Sequence, residues 1–289
     1  MKHTDITDLA FRKLDFDDVK KLVRWAEEEG WNPGPHDAEV FWETDPDGFY
    51  GFYLNDQLIA GGAVISYNGA YGFMGLFIVI PEFRNRGIGR TLWYQRRDLL
   101  ISRLHNDAAI GMDGVVDMQP FYRKGGFEIA FKDERYERLG EKFDLSPHIY
   151  PVMETELNEL LEYDRQCFGY SRPQFLIPWM NRPGTLTFQY IENGVLKGFA
   201  VRRKAAQGYK IGPLFADNES VAEELYKACL NSVAGARIYL DIPMINRGAV
   251  ELVKKYRAHY VFECARMYRG NPVQTNIHKI FGITSFELG

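Results

Sequence analysis

Cysteine is scarce in this sequence: its 289 residues include only Cys167, Cys229 and Cys264. Three scattered thiols do not make a disulfide framework or a zinc site, so we expect reduced cysteines in a cytoplasmic protein that binds no metal. Long apolar runs are also missing, since the longest, residues 74–81, is interrupted by Gly75. Such a run is far too short to span a membrane, and the first residues contain no apolar segment typical of a signal peptide. We therefore expect no membrane partner.

An excess of positive charge is absent as well. Lys and Arg number 35 and Asp and Glu 39, which gives a net charge of −4 and a pI near 5.9. This balance argues against a nucleic-acid partner, which favours a basic surface. Hydrophobic residues make up 46% and charged residues 26%, so disorder is excluded as the main state. At about 150 residues per domain, the length predicts two domains or one large one.

Strands and helices alternate along the chain, which predicts an α/β fold. In the first half, apolar patterns predict strands at 9–14, 49–54, 57–67, 71–80, 108–112 and 127–131. Helices are predicted at 15–29, capped by Asp15, and at 37–43, 87–104 and 117–124, with Asp117 as the cap of the last. After the polar stretch 140–148 the order starts again, with strands at 149–153, 186–192 and 195–203 and a helix at 154–167.

The repeated order is accompanied by weak sequence similarity. A shift of 137 places residues 56–64 on 193–201 and pairs Gly61 with Gly198 and Gly75 with Gly212. Further along the shift is 133, so the second half lacks four residues between its central strand and the next helix. Chance similarity is the alternative, but the matched order and the localised gap favour duplication. We predict two domains, residues 1–144 and 145–289.

The segment that the second half lacks contains a glycine-rich loop. Residues 84–89 read Arg-Asn-Arg-Gly-Ile-Gly and link an apolar strand to a helix. Glycine backbone, the amides of a helix start and nearby arginines together suit a diphosphate. A surface loop with a positive helix start is the plainer interpretation. A dinucleotide fingerprint requires a third glycine near Leu92, and a Walker loop requires Gly-Lys-Ser/Thr; neither is present.

This loop, with the preceding strand and Pro81, resembles motif A of the GNAT superfamily of N-acetyltransferases. Residues 121–127, Phe-Tyr-Arg-Lys-Gly-Gly-Phe, resemble the Tyr-x-x-x-Gly-Phe signature of that family. The second half looks like a divergent GNAT domain, with a Gly-Pro-Leu-x-Ala-Asp strand end at 212–217 and a Ser-x-Glu-Leu-Gly tail at 285–289. The resemblance implies two tandem domains, each a mixed, mostly antiparallel twisted sheet with helices on both faces and a splayed central strand pair, here 71–80 and 108–112.

The resemblance also implies a site for acetyl-coenzyme A as co-substrate. The backbone of Phe77 and Val79 would pair with its pantetheine arm, and Tyr122 would protonate the leaving sulfur. The diphosphate would bind the loop residues Arg84, Asn85, Arg86, Gly87, Ile88, Gly89 and Arg90. An amine would then attack the thioester directly, with no covalent enzyme intermediate. A purely structural role for the Tyr122 ring is the alternative.

The general base is not identified by the sequence, because the central strand contains no carboxylate. Asp113, Asp164 and His36 are candidates for a base or a water relay, whereas Glu82 is interpreted as a solvent-facing loop residue. Residues 164–172, with charge, aromatics and Gly169, form either a loop on the acceptor side or a helix end with a polar loop.

The second half lacks the signature groups: residues 217–220, Asp-Asn-Glu-Ser, replace the glycine loop with acidic side chains, and Lys255 aligns with Tyr122. We therefore predict one coenzyme site per chain, with the second half shaping the acceptor pocket of a monomer that mimics a dimer, or of a weak homodimer. The predicted function is N-acetyl transfer to an amine of a small molecule or peptide. A non-catalytic acyl-coenzyme A-binding module is the main alternative, and a nicotinamide-nucleotide protein is a third.

Overall fold

The computed structural model of the chain describes residues 8–152 and 157–289. The first half contains β1 (Ala10–Lys13), α1 (Phe16–Glu28), α2 (Asp37–Thr44), β2 (Phe49–Leu54), β3 (Gln57–Tyr67), β4 (Tyr71–Val79), α3 (Ile88–Ser102), β5 (Ala109–Val115), α4 (Gln119–Lys124) and β6 (Glu128–Leu139). None of the helices in the described ranges has the length and apolar character needed to cross a membrane.

The second half repeats this order. It contains β7 (Ile149–Pro151), α5 (Leu157–Phe168), α6 (Pro173–Met180), β8 (Leu186–Glu192), β9 (Val195–Lys204), β10 (Tyr209–Ala216), α7 (Glu219–Asn231), β11 (Arg237–Pro243), α8 (Arg247–Lys255) and β12 (His259–Arg269). A short extra strand, β13 (Ile280–Gly282), follows. Residues 80–87 link β4 to α3, whereas residues 217 and 218 alone link β10 to α7. The predicted gap therefore falls in this connection.

Local sequence signals account for most of these elements. The Asp15 side chain accepts a hydrogen bond from the Asp18 amide at 2.9 Å and caps α1, whose apolar face is buried. Asn55 and Asp56 turn the chain between β2 and β3 with φ of 47° and 62°, and Asn193-Gly194 does the same between β8 and β9. Asn, Asp and Gly tolerate this left-handed backbone, so both pairs of residues form tight hairpin turns.

Two predicted boundaries were wrong. Asp117 does not cap α4, because Met118 occupies the cap position and no side chain bonds to the helix start. β6 extends far beyond the predicted end at residue 131, to Leu139. The charged residues in the part of β6 after residue 131 are typical of an exposed segment, yet Asp133 and Arg135 are buried. The strand predicted at 149–153 and the helix predicted at 154–167 each fall partly outside the described residues.

All the strands join one sheet, and the two halves exchange their last strands within it. The order is β1-β2-β3-β4-β5-β12-β6-β11-β10-β9-β8-β7, with β13 paired to β10. Thus β12 of the second half pairs with β5 of the first, and β6 pairs with β11. The predicted boundary at 144/145 lies between β6 and β7, and the exchange joins the halves across it.

Both halves also contain a parallel strand pair that separates at one end. β4 pairs with β5 only at Tyr71, Gly72 and Phe73, although β4 continues to Val79. β10 pairs with β11 only from Tyr209 to Ile211. The predicted splay is therefore confirmed for the first half, and it opens the cleft described next.

Candidate active site

A cleft of about 710 Å³ opens where β4 and β5 separate. No strand of the described chain pairs with the β5-facing edge of β4 beyond Phe73. The first half contributes residues 74–79 of β4, the loop before α3, the end of β5 and the start of α4. The second half contributes Phe262, Cys264, Phe286 and Glu287. A free strand edge in a cleft can accept an extended ligand as an added strand.

The glycine-rich loop forms one end of this cleft. Asn85 and Gly87 have φ of 60° and 79°, in the left-handed region that favours these residue types. The first hydrogen bond within α3 joins the Thr91 amide to the Gly87 carbonyl, so the preceding amides stay outside the helical ladder. At Gly89 a Cβ would lie 3.2 Å from Cγ2 of Val79, which shows how closely the helix start packs against β4.

The loop arginines have different surroundings. Arg84 donates to the Val79 carbonyl at 2.8 Å and pairs with the Glu29 carboxylate, so it fixes the loop to β4. Arg86 lies over the Phe83 ring at 5.3 Å. Within the described parts of the chain, neither Arg86 nor Arg90 pairs with a carboxylate, and Arg90 lines the cleft. Arg90 is therefore the cation best placed for an anion in the cleft.

The backbone of β4 is irregular beside the opening. Leu76 has φ of 48°, and the register between β3 and β4 shifts between Gly61 and Ala63. The buried Arg96 side chain, whose pKa burial lowers to about 9, donates to the Gly75 carbonyl at 2.9 Å and also to the Ala63 carbonyl. We infer that Arg96 holds this bulge in place, a role that the sequence did not reveal. A bulge redirects the backbone groups that follow it, here those of Phe77.

Tyr122 lines the same cleft from α4 and is 5% exposed. Its ring stacks on Trp93 with centroids 5.8 Å apart and lies against Gly114, where a Cβ would be 2.9 Å from Cδ2. Burial raises the pKa of Tyr122 to about 12. The hydroxyl is therefore protonated at neutral pH and able to donate a proton or a hydrogen bond.

The base candidates from the sequence occupy different places. Asp113 lines the cleft, but Arg266 donates to both of its carboxylate oxygens at 2.7 and 2.9 Å. Asp164 is buried and paired in the same way with Arg172 at 2.8 Å. Asp164, His36 and Glu82 are not among the residues that line the cleft, and Glu82 is exposed.

Asp113 also belongs to a buried cluster with Asp133 and Cys264, whose potential ligand atoms lie within 4.8 Å of one another. Burial raises the pKa of Asp113 and, more strongly, that of Asp133. The hydrogen bonds from Arg266 mean that the cluster already contains a cation beside Asp113.

The corresponding opening of the second half is occupied by the chain itself. β13 pairs with β10 at Leu214 and Phe215, beyond the point where β11 leaves β10. Asp217, in the place of the glycine loop, pairs with Lys279 and accepts a hydrogen bond from Tyr163. Strand β13 thus covers the edge of β10 that corresponds to the free, β5-facing edge of β4 in the first half.

Residues 164–172 hold residues 284–289 in place and do not form the acceptor side of the cleft. None of them lines the cleft. Arg172, held by Asp164, donates to the Gly289 carbonyl at 2.7 Å and to the Thr284 hydroxyl at 2.7 Å. Of the two interpretations of this segment, the structure favours the helix end with a polar loop.

Comparison with known proteins agrees with this architecture. Residues 16–127 match the model of the acetyltransferase (GNAT) family, and residues 160–282 match a second acetyltransferase (GNAT) domain model. Holothin acyltransferase of Pseudoalteromonas sp. (strain SANK 73390) is 30% identical over 267 residues, 92% of this chain and 89% of that protein. The chain therefore belongs to the GNAT acetyltransferase family, with two GNAT domains in tandem.

Solved structures extend the comparison. A candidate acetyltransferase from Pyrococcus horikoshii is 25% identical with a TM-score of 0.84, covering 100% of this chain and 99% of that one. A tandem GNAT protein from the clavulanic acid biosynthesis pathway has a TM-score of 0.64 at 13% identity, covering 93% and 99% of the two chains. The latter likeness shows the shared fold.

Proposed function

We propose that this protein is an acetyl-coenzyme A-dependent N-acyltransferase that acts on an amine of a small molecule or peptide. One observation carries the proposal: the free edge of β4, the glycine-rich loop and the protonated Tyr122 surround the same cleft. Membership of an acyl-transferring family supports it.

In this proposal the coenzyme lies along β4. The diphosphate binds the backbone amides at the start of α3 and the Arg90 side chain. The pantetheine arm pairs with backbone groups of Phe77 and Val79. A backbone N–H on that edge also polarises the thioester carbonyl and stabilises the developing oxyanion. The bulge at Leu76 sets the direction of these groups, so Arg96 is a positioning residue.

Chemistry then requires two proton movements. The amine nitrogen forms a bond to the carbonyl carbon as the carbon–sulfur bond breaks, and the amine loses a proton while the sulfur gains one. Tyr122 is the proposed donor to sulfur, because it lines the cleft and its hydroxyl is protonated at working pH.

We further propose one coenzyme site per chain. β13 covers the edge of β10 that corresponds to the free edge of β4, and Asp217, paired with Lys279, occupies the place of the glycine-rich loop. The second half instead supplies walls of the cleft in the first half, as a partner subunit would.

Calorimetric titration of the purified chain with coenzyme A tests the proposal, beside a parallel titration with NAD. We expect saturation at one coenzyme per chain and no binding of NAD. A panel of amines with acetyl-coenzyme A, assayed for thiol release, should give turnover above hydrolysis. Coenzyme binding without turnover on a broad panel would instead favour a non-catalytic acyl-coenzyme A-binding module. Two sites per chain would contradict the assignment of the second half.

A further inference from the structure

One carboxylate in the cleft has an uncommitted oxygen. Glu287 is 3% exposed and lines the cleft together with Tyr122. Within the part of the chain that the structure describes, its Oε2 has no hydrogen-bond partner. Burying a carboxylate oxygen without a partner costs free energy, so such a group suggests a ligand. Of the other carboxylates that line the cleft, Glu29 and Asp113 are paired with arginines, and Asp117 is exposed, so solvent can satisfy its oxygens.

The position of Glu287 is fixed by its backbone. After β13 the chain enters the first half, where the Tyr67 hydroxyl donates to the Leu288 carbonyl at 2.8 Å and Arg172 holds the Gly289 carbonyl. A Cβ at Gly75 would lie 1.8 Å from the Glu287 carbonyl oxygen, so the segment touches β4 directly before the bulge at Leu76. Glu287 thus lies beside the stretch of β4 proposed to hold the thioester.

Charges around Glu287 come from three neighbouring strands. Arg135 on β6, Lys210 on β10 and Asp113 on β5 interact with it electrostatically. Arg135 is committed to Asp241 at 2.6 and 2.7 Å, and the Lys210 ammonium donates to the Trp31 carbonyl at 3.0 Å. Burial, with the nearby Arg135 charge, lowers the pKa of Lys210 to about 7, so Lys210 opposes an acceptor cation beside Glu287 less than a free lysine would.

The walls beside Glu287 are aromatic. Trp31, Phe262 and Phe286 line the cleft, and the rings of Phe262 and Phe286 lie 5.6 Å apart. The Arg135 guanidinium already lies over the Phe262 and Phe286 rings, 4.7 and 5.3 Å from their centroids, so these rings offer apolar walls rather than a second cation site. An acidic group beside apolar walls suits an amine attached to an apolar body.

We propose that Glu287 is the catalytic residue that binds the ammonium group of the acceptor and removes its proton. The inference rests on the proposed function and specifies its substrate class: a small primary amine with an aryl or similar apolar body. The ammonium gives one proton to Glu287, and the resulting amine attacks the thioester carbon. Tyr122 gives its proton to the sulfur and receives the second proton from the nitrogen. Glu287 returns the first proton to solvent. The products are the amide and the free thiol, with one proton released.

The test compares Glu287→Gln with the wild type, using acetyl-coenzyme A and the probes phenethylamine and tryptamine. At neutral pH we expect kcat/KM for the amine to fall by about 100-fold. The deficit should narrow as pH rises towards the pKa of the amine, because solution then supplies the neutral form. The coenzyme Kd should change by less than about twofold, since Glu287 does not contact the loop. Glu82→Gln is the control, because this exposed carboxylate lies outside the cleft and should leave both quantities unchanged.

Unchanged kcat/KM in Glu287→Gln, or a deficit that is constant across pH, would overturn the inference while leaving the proposed function intact. Absence of turnover in the wild type with every amine would refute the proposed function itself. If Glu287→Gln does not fold, the inference is tested by measuring ligand affinities of the wild-type complex with coenzyme A. It should bind phenethylamine at least tenfold more tightly than the neutral 2-phenylethanol, and equal affinities would overturn the inference.

Discussion

Two buried ion pairs occupy equivalent positions in the two halves. Arg266 on β12 pairs with Asp113 on β5, and Arg135 on β6 pairs with Asp241 on β11. In each pair the arginine belongs to an exchanged strand and the aspartate to the strand that receives it. Removing one member of such a pair costs about 3–5 kcal/mol, because the other charge stays buried without compensation.

Tyr122→Phe is the residue-scale test of the proposed chemistry. The ring and its packing on Trp93 are retained, so coenzyme affinity should stay near normal, while kcat should fall by about 100-fold because the sulfur loses its proton donor. Tyr94→Phe is the matched control, since Tyr94 contacts the same tryptophan at 5.1 Å and does not line the cleft.

The pH dependence of kcat gives a second readout for Tyr122. Its raised pKa, about 12, keeps the donor protonated, so the wild type should show no alkaline decline from this group below about pH 10. Unchanged turnover in Tyr122→Phe would show that the ring is merely structural.

Sequence reasoning led to proposed site residues where neighbours in sequence belong to one motif. The loop at 84–90 and Tyr122 belong to contiguous motifs, so their types and spacing are informative. Glu287 and Arg96 could not be assigned, because their contacts with β4 depend on how distant segments pack. Asp117 was assigned wrongly, because its position before a helix suggested a cap that the local turn does not allow.

At the scale of elements, the hydrophobic pattern predicted almost every strand and helix of the first half. It failed where tertiary pairing overrides local character. β6 contains charged residues that are buried by its partner strands β11 and β12. Because these residues are polar, the hydrophobic pattern did not predict the strand beyond residue 131. β13 is only three residues long, and its pairing with β10 has no local signal.

Gly87→Glu tests the loop as an anion site. The substitution puts a side chain at φ 79° and a negative charge where the diphosphate is proposed to bind, so calorimetry should detect no coenzyme binding. Gly194→Glu, in a hairpin of the second half, is the matched control: φ is 76°, and no heavy atom lies within 4 Å of the position that a Cβ would take. Equal coenzyme affinity in both variants would contradict the assignment of the loop.

Phe281→Ala tests whether β13 is integral to the second half. Phe281 is 1% exposed within the core of that half, so the free energy of unfolding in urea should fall by about 3–5 kcal/mol. Ile245→Ala, at a side chain that is 52% exposed, should change it by less than about 0.5 kcal/mol. A loss of under about 1 kcal/mol in Phe281→Ala would indicate that β13 contributes little to this core.

At the scale of the whole molecule, the exchange of β6 and β12 makes the halves interdependent. Expressed alone, residues 1–144 would leave the outer edge of β5 without β12, and residues 145–289 would leave β11 without β6. Unpaired edges promote association, so each fragment should aggregate or self-associate in size-exclusion chromatography. Co-expression should yield a 1:1 complex that binds coenzyme A. A monomeric, coenzyme-binding 1–144 fragment would contradict this expectation.

The same exchange has a consequence for synthesis of the chain on the ribosome. Residues 1–139 can emerge and form helices early, but β5 acquires its second neighbour only when residues 259–269 have been translated. Glu287 emerges later still. The outer edge of β5 in the nascent first half therefore stays unpaired while more than a hundred further residues are translated. At usual elongation rates this takes roughly 5–30 seconds. Over that interval, protection by a chaperone at the exit tunnel would matter more for this protein than for a chain whose halves close independently.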